Sequence, residues 1–261
     1  MGCSDRDFQL SVCTTNYNCA HALDSHLSSV YDALSGLDFE YVVVDNFSKD
    51  DSLRILKSWA AKKSNMTVLA RRCTMGSGRQ IASERARGSY FVVLDTDVVY
   101  STMLRKFIKA YLHGFSALSV KAIYCGVFPG RQWIQAGGRR SLNTNEDVDL
   151  WVRIARFGTM KWFPVALGRN LKEEVAWGMD DHLSNRYSNR ERVLRLIRRE
   201  WDLMKTRGLG KLDLTRLIRE NTIDLGIGAP PGQWPQARVG QSDFERAVRF
   251  VRDLKQVWSM R

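Results

Sequence analysis

The chain is short of acid. Its 28 Asp and Glu face 40 Lys and Arg, a formal net charge of +12. Such a surplus draws polyanions, and nucleic acid, an anionic membrane surface and phosphorylated substrates are all candidates. Cysteine is sparse: Cys3, Cys13, Cys19, Cys73 and Cys125 are odd in number, and no two stand in a CxxC pair. That argues against a disulfide framework and against a zinc site, and fits free thiols in a reducing cytoplasm. Long apolar runs are missing; none approaches the ~18 residues needed to span a bilayer. The N-terminus has no signal-peptide apolar region and carries Asp5 and Asp7 early. The opening Met-Gly-Cys lacks the Ser or Thr at position six that myristoylation requires, since Arg6 is there. No repeat and no low-complexity tract is present. The expected location is the cytoplasm.

What is present is ordinary for a folded protein. Hydrophobic residues make up 44% and charged residues 26% of 261, which argues against disorder. The length suits one large domain, or a core domain with an appendage, and is enough to bury a three-layer core.

The first half alternates strand and helix. Phe8 to Thr14 is short and β-prone. Cys19 to Leu34 repeats Ala22, Leu23, Leu27, Val30 and Leu34 at helical spacing and ends at Gly36. Glu40 to Asp45 is apolar nearly throughout, the pattern of a strand buried on both faces. Leu53 to Lys62 reads as a helix with Leu53, Leu56 and Ala60 inward, Met66 to Ala70 as a strand, and Gly76 to Arg87 as a helix. Tyr90 to Leu94 is a fourth strand and Ser101 to His113 another helix. Four such alternations predict an α/β fold, a mostly parallel sheet with helices on both faces. Glycine-containing loops then lead to a helix at Glu146 to Phe157 and a strand at Met160 to Phe163. From Asp181 the chain reads as helical and basic, with Leu194, Ile197, Trp201 and Met204 on one face of one segment.

In an open parallel sheet, ligands bind beyond the carboxyl ends of the strands. Thr14, Thr15 and Asn16 follow the first strand, Asp45, Asn46 and Ser48 the second, and Asp95 and Asp97 the fourth. Two carboxylates one residue apart at a strand end suit a hard divalent cation that keeps positions open for phosphate oxygens. The same spacing recurs at Asp5/Asp7 and Asp147/Asp149; only Asp95/Asp97 follows a buried strand. Read alone, the pair is equally a solvated loop. Glu146, Asp147 and Asp149 open a helix, where acids stabilise the N-terminus, or else one of them is a general base. Gly76-Ser77-Gly78-Arg79 is a turn into a helix or a phosphate cradle.

Taken in order, these motifs resemble the inverting nucleotide-sugar glycosyltransferases of family two, with the GT-A fold. LSVCTTNYN at Leu10 to Asn18 is similar to the family's opening strand. EYVVVDNFSKDDS at Glu40 to Ser52 resembles its second strand and turn. GSGRQIASERARGSYFVVLDTDV at Gly76 to Val98 resembles its helix followed by the D-x-D strand. AGGRRSLNTNEDVDLWVRIARFG at Ala136 to Gly158 resembles its G-G and E-D-x-D-L-x-x-R elements.

The resemblance implies a Rossmann-like three-layer α/β/α domain over 1–180, with a nucleotide-sugar half to about 100 and an acceptor half beyond it; the basic helical stretch over 181–261 reads as an extension to it. It implies nucleotide-sugar contacts from Thr15, Asn16, Asp45, Asn46, Arg79 and Asp95, and Mn²⁺ or Mg²⁺ at Asp97 and Asp95. Asp147 would be the catalytic base, with Glu146 beside it. His182 is either a late metal ligand or an exposed neighbour of a helix cap. The donor would be a UDP-, GDP- or dTDP-sugar and the acceptor a glycan or lipid-linked hydroxyl. The sequence departs from the family at Thr15, where proline is familiar, at Asn46, where a second aspartate is frequent, and at Gly78-Arg79-Gln80. About 50 residues separate Asp97 from Asp147, so the acceptor-facing insert is expected to be short. The basic extension is a solvated face, or a surface for anionic lipid. Two rival readings are a nucleic-acid-binding protein, for which no motif is found and which is not favoured, and an inactive scaffold.

Overall fold

A computed structural model describes residues 8–143, 146–157 and 159–171. His182 and the expected basic helices over 181–261 lie outside the described residues, as does the Asp5/Asp7 pair. Among the described residues no helix is long and apolar enough to cross a membrane.

The strands β1 (Phe8–Asn16), β2 (Phe39–Asp45), β3 (Met66–Ala70) and β4 (Gly88–Leu94) pair in parallel in the order β3-β2-β1-β4. Between them run α1 (Ala20–Leu34), α2 (Ser52–Lys62) and α3 (Met75–Arg85). All seven residues of β2 are buried, as its unbroken apolar run predicts. The five apolar positions expected to face inward on α1 are buried too. On α2, Leu56 is buried while Leu53 and Ala60 are only half-buried.

Alternation along the strands builds the layers. Leu10, Val12, Tyr41 and Val43 join α1 and Leu104, Phe107 and Ile108 in one core. Cys13, Val42 and Val44 face the opposite way, into a second core with Phe128, Trp133 and Trp151. The result is a three-layer α/β/α sandwich.

Beyond β4 the chain does what the sequence reading missed. After β5 (Val98–Tyr100) and α4 (Thr102–Gly114), the stretch read as loops forms a hairpin of β6 (Ser119–Ile123) and β7 (Cys125–Pro129). β7 lies antiparallel to β4, and β6 is antiparallel to β7. Leu94 at the end of β4 pairs with Cys125 at the start of β7, so the hairpin turn sits on the same rim as the ends of the parallel strands. Then follow α5 (Gly130–Gln135), α6 (Glu146–Ala155), β8 (Met160–Ala166), which completes the sheet beside β6, and β9 (Gly168–Asn170), which pairs with β5.

Candidate active site

The rim carries a cleft of about 820 Å³. Of the residues singled out from the sequence, Thr15, Asn16, Asn46, Arg79, Asp95, Asp97, Glu146 and Asp147 line it. Asp45 does not. It is fully buried, and its carboxylate accepts from Asn16 Nδ2 at 2.8 Å, Ser48 Oγ at 2.7 Å and the Ser48 amide at 2.9 Å. Asp45 therefore braces the end of β2 and aims Asn16. Asn46 is held similarly, its Oδ1 accepting from the Cys73 amide at 3.0 Å.

The glycines before Arg79 serve close approach. Thr74 caps α3, its hydroxyl accepting from the Ser77 amide while Ser77 Oγ accepts from the Thr74 amide. A Cβ on Gly78 would overlap the Thr15 methyl, and one on Gly76 would overlap the Arg140 carbonyl. The turn-into-helix reading of this segment accounts for both glycines, because they let α3 sit against the end of β1 and the 140–142 loop.

That approach delivers Arg79 to the centre of the site. Its guanidinium donates to Glu146 Oε1 and to Asp95 Oδ1, each at 2.5 Å. One side chain thus ties the end of β4 to the first turn of α6. Arg139 donates to the same Glu146 oxygen at 3.3 Å. Glu146 is accordingly enclosed by two guanidiniums, an anchoring position rather than one free to move a proton. Burial pushes its carboxyl above the usual range, opposed by Arg79. Burial likewise pushes Arg139 down to about 10, with Arg79 adding to the effect.

Asp147 is different. Its side chain is 34% exposed, and Lys121 Nζ donates to its Oδ2 at 2.8 Å. Burial would raise its carboxyl; Lys121, Arg139 and Arg79 together outweigh that and hold it below the usual range. Asp147 stays a carboxylate through neutral pH. Asp95 is raised, by desolvation first and by neighbouring Asp97 and Asp147, against the pull of Arg79.

Hydrogen bonds brace the floor beneath Asp95. Tyr100 Oη accepts from the Asp95 amide at 3.0 Å and donates to the Tyr124 carbonyl at 2.6 Å. His26 is fully buried, pairing with the Val98 carbonyl at 2.8 Å and Tyr41 Oη at 2.7 Å. Burial lowers it to about 4, so it is neutral and serves as a strut. Lys121, Tyr124, Arg139 and Tyr100 were not singled out from the sequence. Lys121 and Tyr124 belong to the unrecognised hairpin. Arg139 follows Gly137 and Gly138, both at positive φ, and this glycine pair was the available signal.

Comparison with known proteins identifies the family and the fold. The chain matches glycosyl transferase family 2 over residues 11–166. No curated protein sequence matches it. Among solved structures, Staphylococcus aureus TarS 1-349 in complex with UDP superposes with TM-score 0.51 at 16% identity, covering 61% of this chain. The chain spans 59% of that TarS fragment. The mannosyltransferase PcManGT from Pyrobaculum calidifontis, in complex with GDP-Man and Mn²⁺, superposes with TM-score 0.57 at 14% identity, over 98% of this chain and 89% of its own. At such identities the likeness is one of fold, and the fold is GT-A. The family match covers more than half of the residues, and the chain belongs to glycosyl transferase family 2.

Proposed function

We propose that the protein transfers a sugar from a nucleoside-diphosphate sugar to an acceptor hydroxyl with inversion, assisted by Mn²⁺ or Mg²⁺. The observation that carries this reading is the Arg79 bridge. It holds Asp95, at the carboxyl end of β4, against the helix turn that bears Asp147, so both acids share one cleft.

Thr15, Asn16 and Asn46 line the part of the cleft at the ends of β1 and β2, beside Lys49 and Arg72. There they would take the nucleotide. Asp95 and Asp97 offer hard oxygen donors. Among the described residues no group of three or more His, Cys, Asp or Glu converges to close a metal cage. Such a sparse set fits an ion that takes its remaining ligands from water and phosphate. When bound, the ion neutralises charge growing on the departing diphosphate. Asp147, held ionised by Lys121, accepts the acceptor's hydroxyl proton. The acceptor oxygen forms its bond to the anomeric carbon as the bond to the diphosphate oxygen breaks, and that oxygen keeps the electron pair. One displacement inverts the centre, and no covalent sugar–enzyme intermediate is needed.

A thermal-shift panel of UDP, GDP, dTDP and CDP, each with and without Mn²⁺, tests the reading. A ligand that binds only the native state raises its apparent stability. One nucleotide should raise Tm in a Mn²⁺-dependent way, and Asp97→Ala should abolish the dependence. No shift with any of the four would sink the proposal.

Lys121 gives a pH prediction. Because it depresses Asp147, Lys121→Met should raise the acid limb of the kcat/KM profile toward higher pH. An unmoved limb would mean that Asp147 is not the titrating base.

The basic segment over 181–261 is proposed to meet anionic lipid at the cytoplasmic face of a membrane, near a lipid-linked acceptor. The motive is its charge in sequence, with Arg186, Arg190, Arg192, Arg195, Arg198 and Arg199 close together. Sedimentation with phosphatidylserine vesicles should fall as salt rises. Equal sedimentation with neutral vesicles would remove the idea.

A further inference from the structure

Among the described residues, three that are not glycine take a positive φ: Asn18 at 49°, Phe47 at 49° and Tyr124 at 65°. Asparagine tolerates that region, whereas a bulky side chain is an outlier there. Phe47 is also 50% exposed and belongs to neither core. A strained backbone therefore holds an apolar ring in water. Ile134 and Phe157 are exposed too, but of these three only Phe47 lines the cleft.

The strained turn is pinned from both sides. The Asn46 amide donates to the Asn16 carbonyl at 2.9 Å, and Asn46 Oδ1 accepts from the Cys73 amide at 3.0 Å. Ser48 donates to the Asp45 carboxylate through its amide and its hydroxyl. Glycine or asparagine closes such a turn with less strain. Turn geometry thus does not account for the ring, and neither does packing. Backbone outliers of this kind cluster at active sites and ligand clamps. Arg72, which lines the same cleft, stands over the ring with its guanidinium carbon 5.9 Å from the ring centre. Aromatic rings and guanidinium planes both stack on nucleobases. The place in the sheet chooses the base over the sugar. Phe47 follows β2, two strands away from β4. At about 4.8 Å per strand, that is roughly 10 Å from the acids at the end of β4, the reach of a ribose and its diphosphate.

We propose that the Phe47 ring is the platform on which the donor's nucleobase stacks, with Arg72 flanking it. The base covers the apolar surface that the free protein leaves in water, and the left-handed turn keeps the ring in place before the ligand arrives. Every base has a π-face, so Phe47 favours any nucleotide over a bare diphosphate. The inference rests on the glycosyl-transfer reading and deepens it by naming the residue that holds the base.

Calorimetry on the full chain with Mg²⁺ tests it, with UDP, GDP, dTDP, CDP and inorganic pyrophosphate as probes. Each nucleotide that binds the parent should bind Phe47→Ala about tenfold more weakly, the loss of one stacked base. Phe47→Trp should stay within about threefold of the parent, because it keeps a ring. Pyrophosphate should bind parent and variants alike. Thermal melts of the free proteins separate a binding role from a structural one. Phe47→Gly relieves the positive φ and removes no core contact, so its Tm should equal or exceed the parent's while its nucleotide affinity falls as in Phe47→Ala. Unchanged nucleotide affinity in Phe47→Ala and Phe47→Gly overturns the assignment and leaves glycosyl transfer standing. So does an equal loss for pyrophosphate, or a lowered Tm in Phe47→Gly. If none of the four nucleotides binds the parent, the glycosyl-transfer reading falls and the platform falls with it.

Discussion

Replacing Asp147 with asparagine is expected to lower kcat by about 10²–10⁴-fold, the span of a lost general base, while the nucleotide-induced rise in Tm is kept. The expectation follows from the division of labour between two adjacent acids. Glu146 is enclosed by Arg79 and Arg139, whereas Asp147 opens onto the cleft and has Lys121 as its ion-pair partner. Asparagine matches the shape of aspartate and cannot take a proton. The nucleotide contacts proposed for Asn16 and Asn46 lie at the ends of other strands and should not change. The pH profile separates a lost base from a disturbed site: the residual activity of Asp147→Asn should lose its acid limb. Activity within about threefold of the parent would reassign the base, since general-base contributions are rarely so small.

Much of this site was legible because strand ends are legible. The apolar run before Asp45 and that before Asp95 mark parallel strands, and parallel strands place their carboxyl ends on one rim. The fate of Asp45 was less accessible. Its enclosure depends on Asn16 arriving from the neighbouring strand in register and on Ser48 turning back, a relation between segments rather than within one. The β6–β7 hairpin was hidden for a local reason. Hairpins usually announce themselves with Asn-Gly or Asp-Gly at the turn; this one turns through Ile123 and Tyr124, with Tyr124 carrying the positive φ of 65°. Gly126 read as a loop residue. It lies within β7 because Phe128 and Trp151 occupy the space a side chain would need. Missing the hairpin meant missing Lys121, and with it the reason Asp147 stays ionised. The Arg79–Glu146 link joins residues 67 apart, a distance over which no sequence spacing speaks.

Arg79→Met should be the most damaging substitution for stability among the cleft residues. It removes one partner from a buried ion network and leaves the others charged. Breaking a buried pair in this way costs about 3–5 kcal/mol, or a Tm lower by about 6–20 °C for a domain of this size. Glu146, 4% exposed, would keep only Arg139, and Asp95 would lose the cation that binds it to α6. The pH dependence has a definite sign. Glu146 is already raised by burial, and without Arg79 it rises further. Its protonation at low pH removes the charge that Arg79 offsets, so the gap between parent and variant should narrow as pH falls and widen toward neutrality. Arg79→Lys should be intermediate, because an ammonium can satisfy Glu146 or Asp95 but lacks the planar fork that reaches both. The double change Arg79→Met with Glu146→Gln should recover part of the loss, and the coupling in that cycle measures the bridge directly. If the two changes simply add, Arg79 and Glu146 do not act as a unit, and the clamp that brings Asp95 and Asp147 into one cleft would have to be sought elsewhere in the chain.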